Sequence, residues 1–422
     1  MKTGFSKTIL PNGVRVISER VPSVGSVAVG VWVHVGSRDE PIPINGVAHF
    51  IEHLVFKGTT RRSALDIAET VESLGGSINA FTSREHTCYY VRIRSSHLPR
   101  AMEILGDILN NSRFAPGDLR KERQVILEEI KDIADTPGEY IYDLFVEQMF
   151  GSHPLGQPIM GKQRTVKSLR RPAVMGFLRE HYCSPNVLVA ATGDISHRAL
   201  VDITRKHFGW PAEARLKYNT VPSPPGFSIR AHADRTKQTH VCLGVPAVTF
   251  SDPRRFVVSA INTYLSSGMS ARLFQKVREE AGYCYNIYSS QEFFRDSGLV
   301  CIYYGADAKY VVKAANIILR ELHLLKEKLL NRAQMGKIKE QLKGSLMLSQ
   351  ESMYNRMNRI AHLELLLGKF VTPGENCRLI DAIAPREIRD VANQLFDRDK
   401  LVFCSLGPTK RAELETIHWS AL

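Results

Sequence analysis

The chain has 422 residues, 44% of them hydrophobic and 23% charged, with a formal net charge of +13; this is a globular composition, long enough for two domains of about 200 residues each. No run of 18 apolar residues occurs, which excludes a membrane-spanning helix, and the lysines and arginines are spread along the chain without a nucleic-acid module signature, so a solvated basic surface explains the charge better than DNA or RNA. Seven cysteines, none in a CxxC pair, fit scattered reduced thiols better than a disulfide framework.

The first residues, "MKTGFSKTILPNGVRVISERV", pass from Met into alternating strand-like residues without an apolar signal region or an arginine-rich presequence, which gives the expectation of a cytoplasmic protein. Next comes "NGVAHFIEHLVFKGT", read as a helix capped by Asn45 and closed near Gly58. A second helix, "ALDIAETVESLGG", stops at Gly75 and Gly76, and "SINAFTSREHTCYYVRIR" has the pattern of paired strands. In the helix "LPRAMEILGDIL", Leu98, Met102, Leu105 and Leu109 form one apolar stripe. The helix "DLRKERQVILEEIKDI" follows, and "NTVPSPPGFS", with Pro222, Pro224, Pro225 and Gly226, forms a stiff linker. The second half repeats the order: "ARLFQKVREEAG" is a helix ending at Gly282, "YCYNIYSSQEFFRDSGLVCIYY" supplies strands, and Val311, Ala315, Ile318 and Leu322 repeat the stripe. Two α+β units of one design are expected, over 1–218 and 231–422, joined by the Pro-rich segment 219–230.

His49, Glu52 and His53 share one face of their helix, and two imidazoles at i, i+4 can hold one Zn²⁺. The second half offers the apolar "FVVSAINTYL" at the corresponding place, so the fold does not need these histidines. With 14 histidines in the chain, HxxEH arises by chance on the order of a few hundredths of a time, and it is the inverse of HExxH. A catalytic zinc takes three protein ligands and keeps a position open for water. Glu122, Ile126, Glu129 and Ile133 fall on one helical stripe, which turns two carboxylates inward among aliphatic residues, while Glu128 lies about 100° away and faces out. Buried acids need a metal or a partner, so Glu129 is read as the third ligand and Glu122 as a group orienting a ligand.

"NGVAHFIEHLVFKGT", "LGGSINAFTSREHTCYY", "ERQVILEEI" and "GMSARLFQKVREEAGYCY" together resemble the pitrilysin/insulinase family of zinc peptidases, in particular its small bacterial members and the catalytic β subunit of mitochondrial processing peptidase, from about residue 4 to residue 408. The resemblance implies two homologous α/β-roll domains, each an antiparallel-rich sheet packed by helices, forming half of a clamshell, so that two chains enclose a chamber. It implies zinc on His49, His53 and Glu129, Glu52 as general base, and peptide substrates paired to the strand carrying Asn79, Ala80, Phe81 and Thr82. It further implies that Arg278 and Tyr285 hold the substrate carbonyl from the opposite half. Because both residue sets occur in one chain, a homodimer is favoured over a heterodimer with a paralogue. Processing peptidases carry acidic residues after a "GxPILG"-like turn to receive arginine; "GQPIMGKQRTVKSLRRP" is basic throughout, which speaks against basic presequences as substrates. The alternative is a noncatalytic relative of the same fold acting in complex assembly, against which the intact His49, Glu52, His53 and Glu129 argue.

Overall fold

Alternating and continuous apolar runs settle into two separate sheets in the computed structural model, which describes residues 4–210 and 226–422. In chain order the first half forms β1 (Phe5–Ile9), β2 (Arg15–Arg20), β3 (Ser26–Val33), α1 (Val47–Val55), α2 (Ala64–Glu72), β4 (Ser77–Thr82), β5 (Thr87–Arg94), α3 (Leu98–Asn111), α4 (Pro116–Ala134), α5 (Pro137–Phe150), α6 (Gln163–Ser168), α7 (Arg171–His181), β6 (Val187–Gly193) and α8 (His197–His207). The second half forms β7 (Ser228–Ala233), β8 (Thr239–Pro246), α9 (Arg255–Ser266), a π-helical turn (Phe274–Glu280), β9 (Asn286–Phe293), β10 (Gly298–Ala306), α10 (Ala308–Glu327), α11 (Arg332–Ser349), α12 (Met353–Leu367), α13 (Pro373–Ala382), α14 (Pro385–Leu395), β11 (Val402–Gly407) and α15 (Arg411–Leu414). Of the expected linker, 219–225 lies outside the described residues, and Ser228 already begins β7.

The sheet orders are β1-β2-β6-β3-β5-β4 and β7-β11-β8-β10-β9. In both, one pair is parallel, β2 with β6 and β7 with β11, and the other described pairs are antiparallel. Strand for strand, the second sheet repeats the first without β1, as the repeated sequence pattern predicts. The fold is α+β, two sheets packed by helices. Among the described residues, no helix is long and apolar enough to cross a membrane.

Both sheets are covered on two faces, which is why β3, "SVAVGVWV", and β6, "VLVAATG", read as nearly continuous apolar runs. In the first unit, Val27, Val29, Val31 and Val33 join α1 and α3 in the main core, while Ala28 and Trp32 pack on the other face against Met357, Ile360 and Ala361 of α12. Ion pairs fasten that helix to the sheet: Glu19 reaches Arg356 and Arg359 at 3.2 Å each, and Lys7 reaches Glu364 at 2.8 Å. In the second unit α5 plays the same part, with Ile141, Phe145 and Met149 buried against Cys242, Leu299 and Cys404.

The compact units therefore do not follow the linear halves expected from the sequence. The first unit comprises 1–131, 157–219 and 348–372, and the second 132–156, 220–347 and 373–422. Each repeat gives up one helix, α5 or α12, to the sheet of the other. Helical periodicity marks an apolar face but not the sheet that buries it.

Candidate metal centre

Helix α1 buries Val47, Phe50, Ile51 and Leu54 and leaves His49, Glu52 and His53 on its opposite side. Its start corrects the sequence reading. Asn45 is not the cap: Gly46 precedes the helix with φ at +96°, and no side chain at that position bonds the first turn. The cap comes from Glu40 on the preceding loop, whose Oε2 accepts from Gly46 N and whose Oε1 accepts from Ala48 N, both at 2.7 Å, while the Asn45 amide donates to the same carboxylate at 2.9 Å. A side chain outside the local window has taken the role that helix starts usually give to the adjacent residue.

Helix α4 delivers the carboxylates as its stripe predicts, with Glu122 and Ile126 buried, Glu129 half-buried and Glu128 exposed in an ion pair with Lys131. One donor atom each from His49, His53 and Glu129 lie within 4.8 Å of one another. Glu129 Oε2 stands 3.6 Å from His53 Nε2 and 4.0 Å from His49 Nε2. Bonds of about 2.0–2.2 Å from one zinc to these atoms would draw the three together only slightly. Glu129 Oε2 is buried without a hydrogen-bond partner. A desolvated carboxylate oxygen aimed at two imidazoles is costly unless a cation satisfies all three, so the residues fit a zinc ion.

The surroundings of the two histidines suit a metal centre. Burial, and then repulsion from His53, pushes the His49 pKa down to about 3, so its imidazole is neutral near pH 7. Glu122 Oε2 lies 3.2 Å from His53 Nδ1, the arrangement by which a carboxylate fixes a ligating histidine with Nε2 toward the metal. Lys57 pairs with the other Glu122 oxygen at 3.0 Å. Glu52 is outside the ligand cluster, and Thr82 donates its hydroxyl to Glu52 Oε2 at 2.5 Å. Burial raises the Glu52 pKa, against the Thr82 bond and the attraction of His53.

The four edge-strand residues lie together on β4, which ends its sheet. Thr82 turns toward α1 and Phe81 toward the opposite face, its ring edge-on to Trp32 at 5.5 Å, while Asn79 Oδ1 accepts from Ala80 N at 2.8 Å. Arg278 and Tyr285 belong to the second unit, where the guanidinium lies 4.6 Å above the Tyr285 ring and 4.6 Å from that of Phe274. The segment read as an ordinary helix is a π-helical turn from Phe274 to Glu280, a rare form found disproportionately at functional sites. Sequence reasoning missed Glu40, Lys57 and the Thr82–Glu52 bond. Only the acid-rich "GSRDE" just before the helix hinted at the first.

Residues 15–163 match the family model described as insulinase (peptidase family M16), and residues 168–342 match the one described as peptidase M16 inactive domain. An uncharacterized zinc protease of Streptomyces coelicolor is 37% identical over 98% of this chain and 91% of its own length, and the uncharacterized zinc protease YmxG of Bacillus subtilis is 38% identical over 92% and 95%. Among solved structures, a protease from Helicobacter pylori shares the fold with a TM-score of 0.86 at 22% identity, covering 96% of this chain and 99% of that one. The chain belongs to the insulinase family of zinc peptidases, peptidase family M16.

Proposed function

We propose that this chain is a zinc endopeptidase that cuts extended or unfolded peptides, with His49, His53 and Glu129 as ligands and Glu52 as general base. The observation that carries the reading is the convergence of two imidazoles on a buried carboxylate oxygen that no hydrogen bond satisfies, beside a second carboxylate, Glu52, that is not part of the cluster. Zinc on these ligands supplies a water acidified toward neutrality and an electrophile for the scissile carbonyl. Glu52, with Oε2 occupied by the Thr82 hydroxyl, accepts the water proton on its other oxygen and passes it to the leaving amide nitrogen. Its raised pKa suits it to both transfers. A peptide adding to the free side of β4 lies alongside the strand whose Thr82 touches the base, so Asn79, Ala80, Phe81 and Thr82 align it by main-chain hydrogen bonds. Only a segment free to extend can pair in that way.

Arg278 and Tyr285, pre-assembled by stacking, are assigned to the oxyanion. In a homodimer, or a dimer with a paralogous chain, they serve the metal set of the other chain. The intact ligand and base residues favour this enzyme over a noncatalytic assembly subunit. The test is cleavage of an unfolded protein and of quenched extended peptides by the purified chain: activity should vanish with a chelator, return with zinc, and be absent from His53→Ala. Zinc-loaded protein that cuts none of them would overturn the reading. For the shared site, mixing impaired Glu52→Gln and Tyr285→Phe chains after dissociation should restore activity, and strictly additive residual rates would refute it.

A further inference from the structure

Glu40 is 2% exposed, yet it lies on a loop, and every hydrogen bond described for its carboxylate goes to the start of the metal helix: Asn45 Nδ2, Gly46 N and Ala48 N at 2.9, 2.7 and 2.7 Å. The loop is itself fastened to the turn between β4 and β5. Ser37 N donates to Ser83 O at 3.1 Å, Arg38 N to Arg84 O at 2.9 Å, and the buried Arg38 guanidinium to Glu85 Oε1 at 2.6 Å. An ordinary cap moves with its own helix; this one ties the helix to the strand that ends at Thr82. From the other side, Gly46 and Gly161 meet backbone to backbone: a Cβ on Gly161 would stand 2.4 Å from Asn45 O, and one on Gly46 2.5 Å from Met160 O. The Asn45 amide also donates to Pro158 O at 3.1 Å, so the "GQPIMG" turn is the second jaw of the same clamp.

We propose that Glu40 is the positioning residue of the metal helix: its buried carboxylate, gripping the N–H groups of Gly46 and Ala48, sets the height and rotation of α1 and so the convergence of His49 and His53 on Glu129. This rests on the reading of those three residues as the metal ligands. Two N–H groups pointing at two separate oxygens fix an orientation as well as a distance, and a negative charge at a helix N-terminus adds a favourable dipole interaction. Glutamine fills the same volume but offers one acceptor and one donor where two acceptors are required, so it sets an N–H group against a backbone N–H. Burial raises the Glu40 pKa to about 8 against the pull of its donors, so the bonds are strongest above that pH.

The experiment compares wild type, Glu40→Gln and Gly161→Ala at pH 8.5. In chelator competition, both variants should bind zinc about 10–100-fold more weakly, the range found when an outer partner of a metal ligand is removed. In the metal-free proteins, hydrogen exchange should quicken at the amides of Val47–Ile51 while those of β3 and β6 keep their protection, and this arm needs neither metal nor substrate. Cobalt-loaded variants should show a shifted visible spectrum. Faster exchange with unchanged metal affinity would overturn the positioning role. So would wild-type zinc affinity and wild-type exchange in either folded variant; Gly161→Ala, which presses on the same helix start from the other side, carries the test if Glu40→Gln does not fold. Loss of metal in wild type, with local exchange still responding to Glu40→Gln, would instead count against the ligand assignment and leave the clamp standing.

Discussion

Replacing Glu52 by glutamine separates proton transfer from metal binding within one helical turn. The side chain keeps its volume, its carboxamide oxygen can still accept from Thr82, now 2.5 Å from Glu52 Oε2, and the three ligands are untouched because Glu52 is not among them. What disappears is the group proposed to receive a proton. A positioned general base contributes about 10²–10⁴-fold, so kcat/KM should fall by that factor, equivalent to roughly 2.7–5.4 kcal/mol of transition-state stabilisation. Folding should respond in the opposite sense. Burial raises the Glu52 pKa, and a carboxyl whose pKa rises on folding costs stability above its unfolded value, so the neutral amide should leave the Tm of the metal-free protein equal or higher. The assay is zinc content by elemental analysis, thermal unfolding, and single-turnover cleavage of a quenched peptide on the same preparation. Loss of zinc together with activity, or a rate within tenfold of wild type at full occupancy, would refute the assignment.

Glu122→Ala removes the 3.2 Å contact to His53 and the 3.0 Å partner of Lys57, so zinc should bind about 10–100-fold more weakly in chelator competition, with Glu122→Gln between it and wild type. Phe145→Ala on α5 should cost about 3–5 kcal/mol by denaturant unfolding, because the ring is fully buried against Gly244, where an added Cβ would stand 2.6 Å from Phe145 Cζ. Zinc binding by the folded variant should be unaltered. On the inner face of α12, His362 Nε2 lies 3.2 Å from His86 Nε2, and burial pushes the His362 pKa down to about 4 from 6.5. The unfolded chain therefore binds more protons between pH 4 and 6.5, so stability should fall as pH drops through that window, by up to about 1.4 kcal/mol per pH unit for this one group. Burial, with repulsion from His362 and His34, lowers the His86 pKa in the same direction, and His362→Phe should flatten the slope measured by urea unfolding at each pH.

Local pattern determined a great deal here. HxxEH at helical spacing places His49, Glu52 and His53 on one face whatever the rest of the chain does, and the α4 stripe separates Glu129 from Glu128 by rotation alone. The repeated order of helices and strands likewise announced two sheets of one design, because each element announces itself through a period of 2 or 3.6. Tertiary structure alone decided what depends on contacts between residues far apart in sequence. Asn45 looked like the cap of α1, but a loop carboxylate at Glu40, held by the β4–β5 turn, reached its N–H groups instead. The apolar stripes of α5 and α12 could not say which sheet would bury them, and each covers the sheet of the other repeat. The π-helical turn that carries Arg278 has the residue pattern of an α-helix, and Thr82 meets Glu52 only because the end of β4 is brought beside α1. Periodicity records which face of an element is apolar; the partner of that face is chosen by the packing of the whole chain.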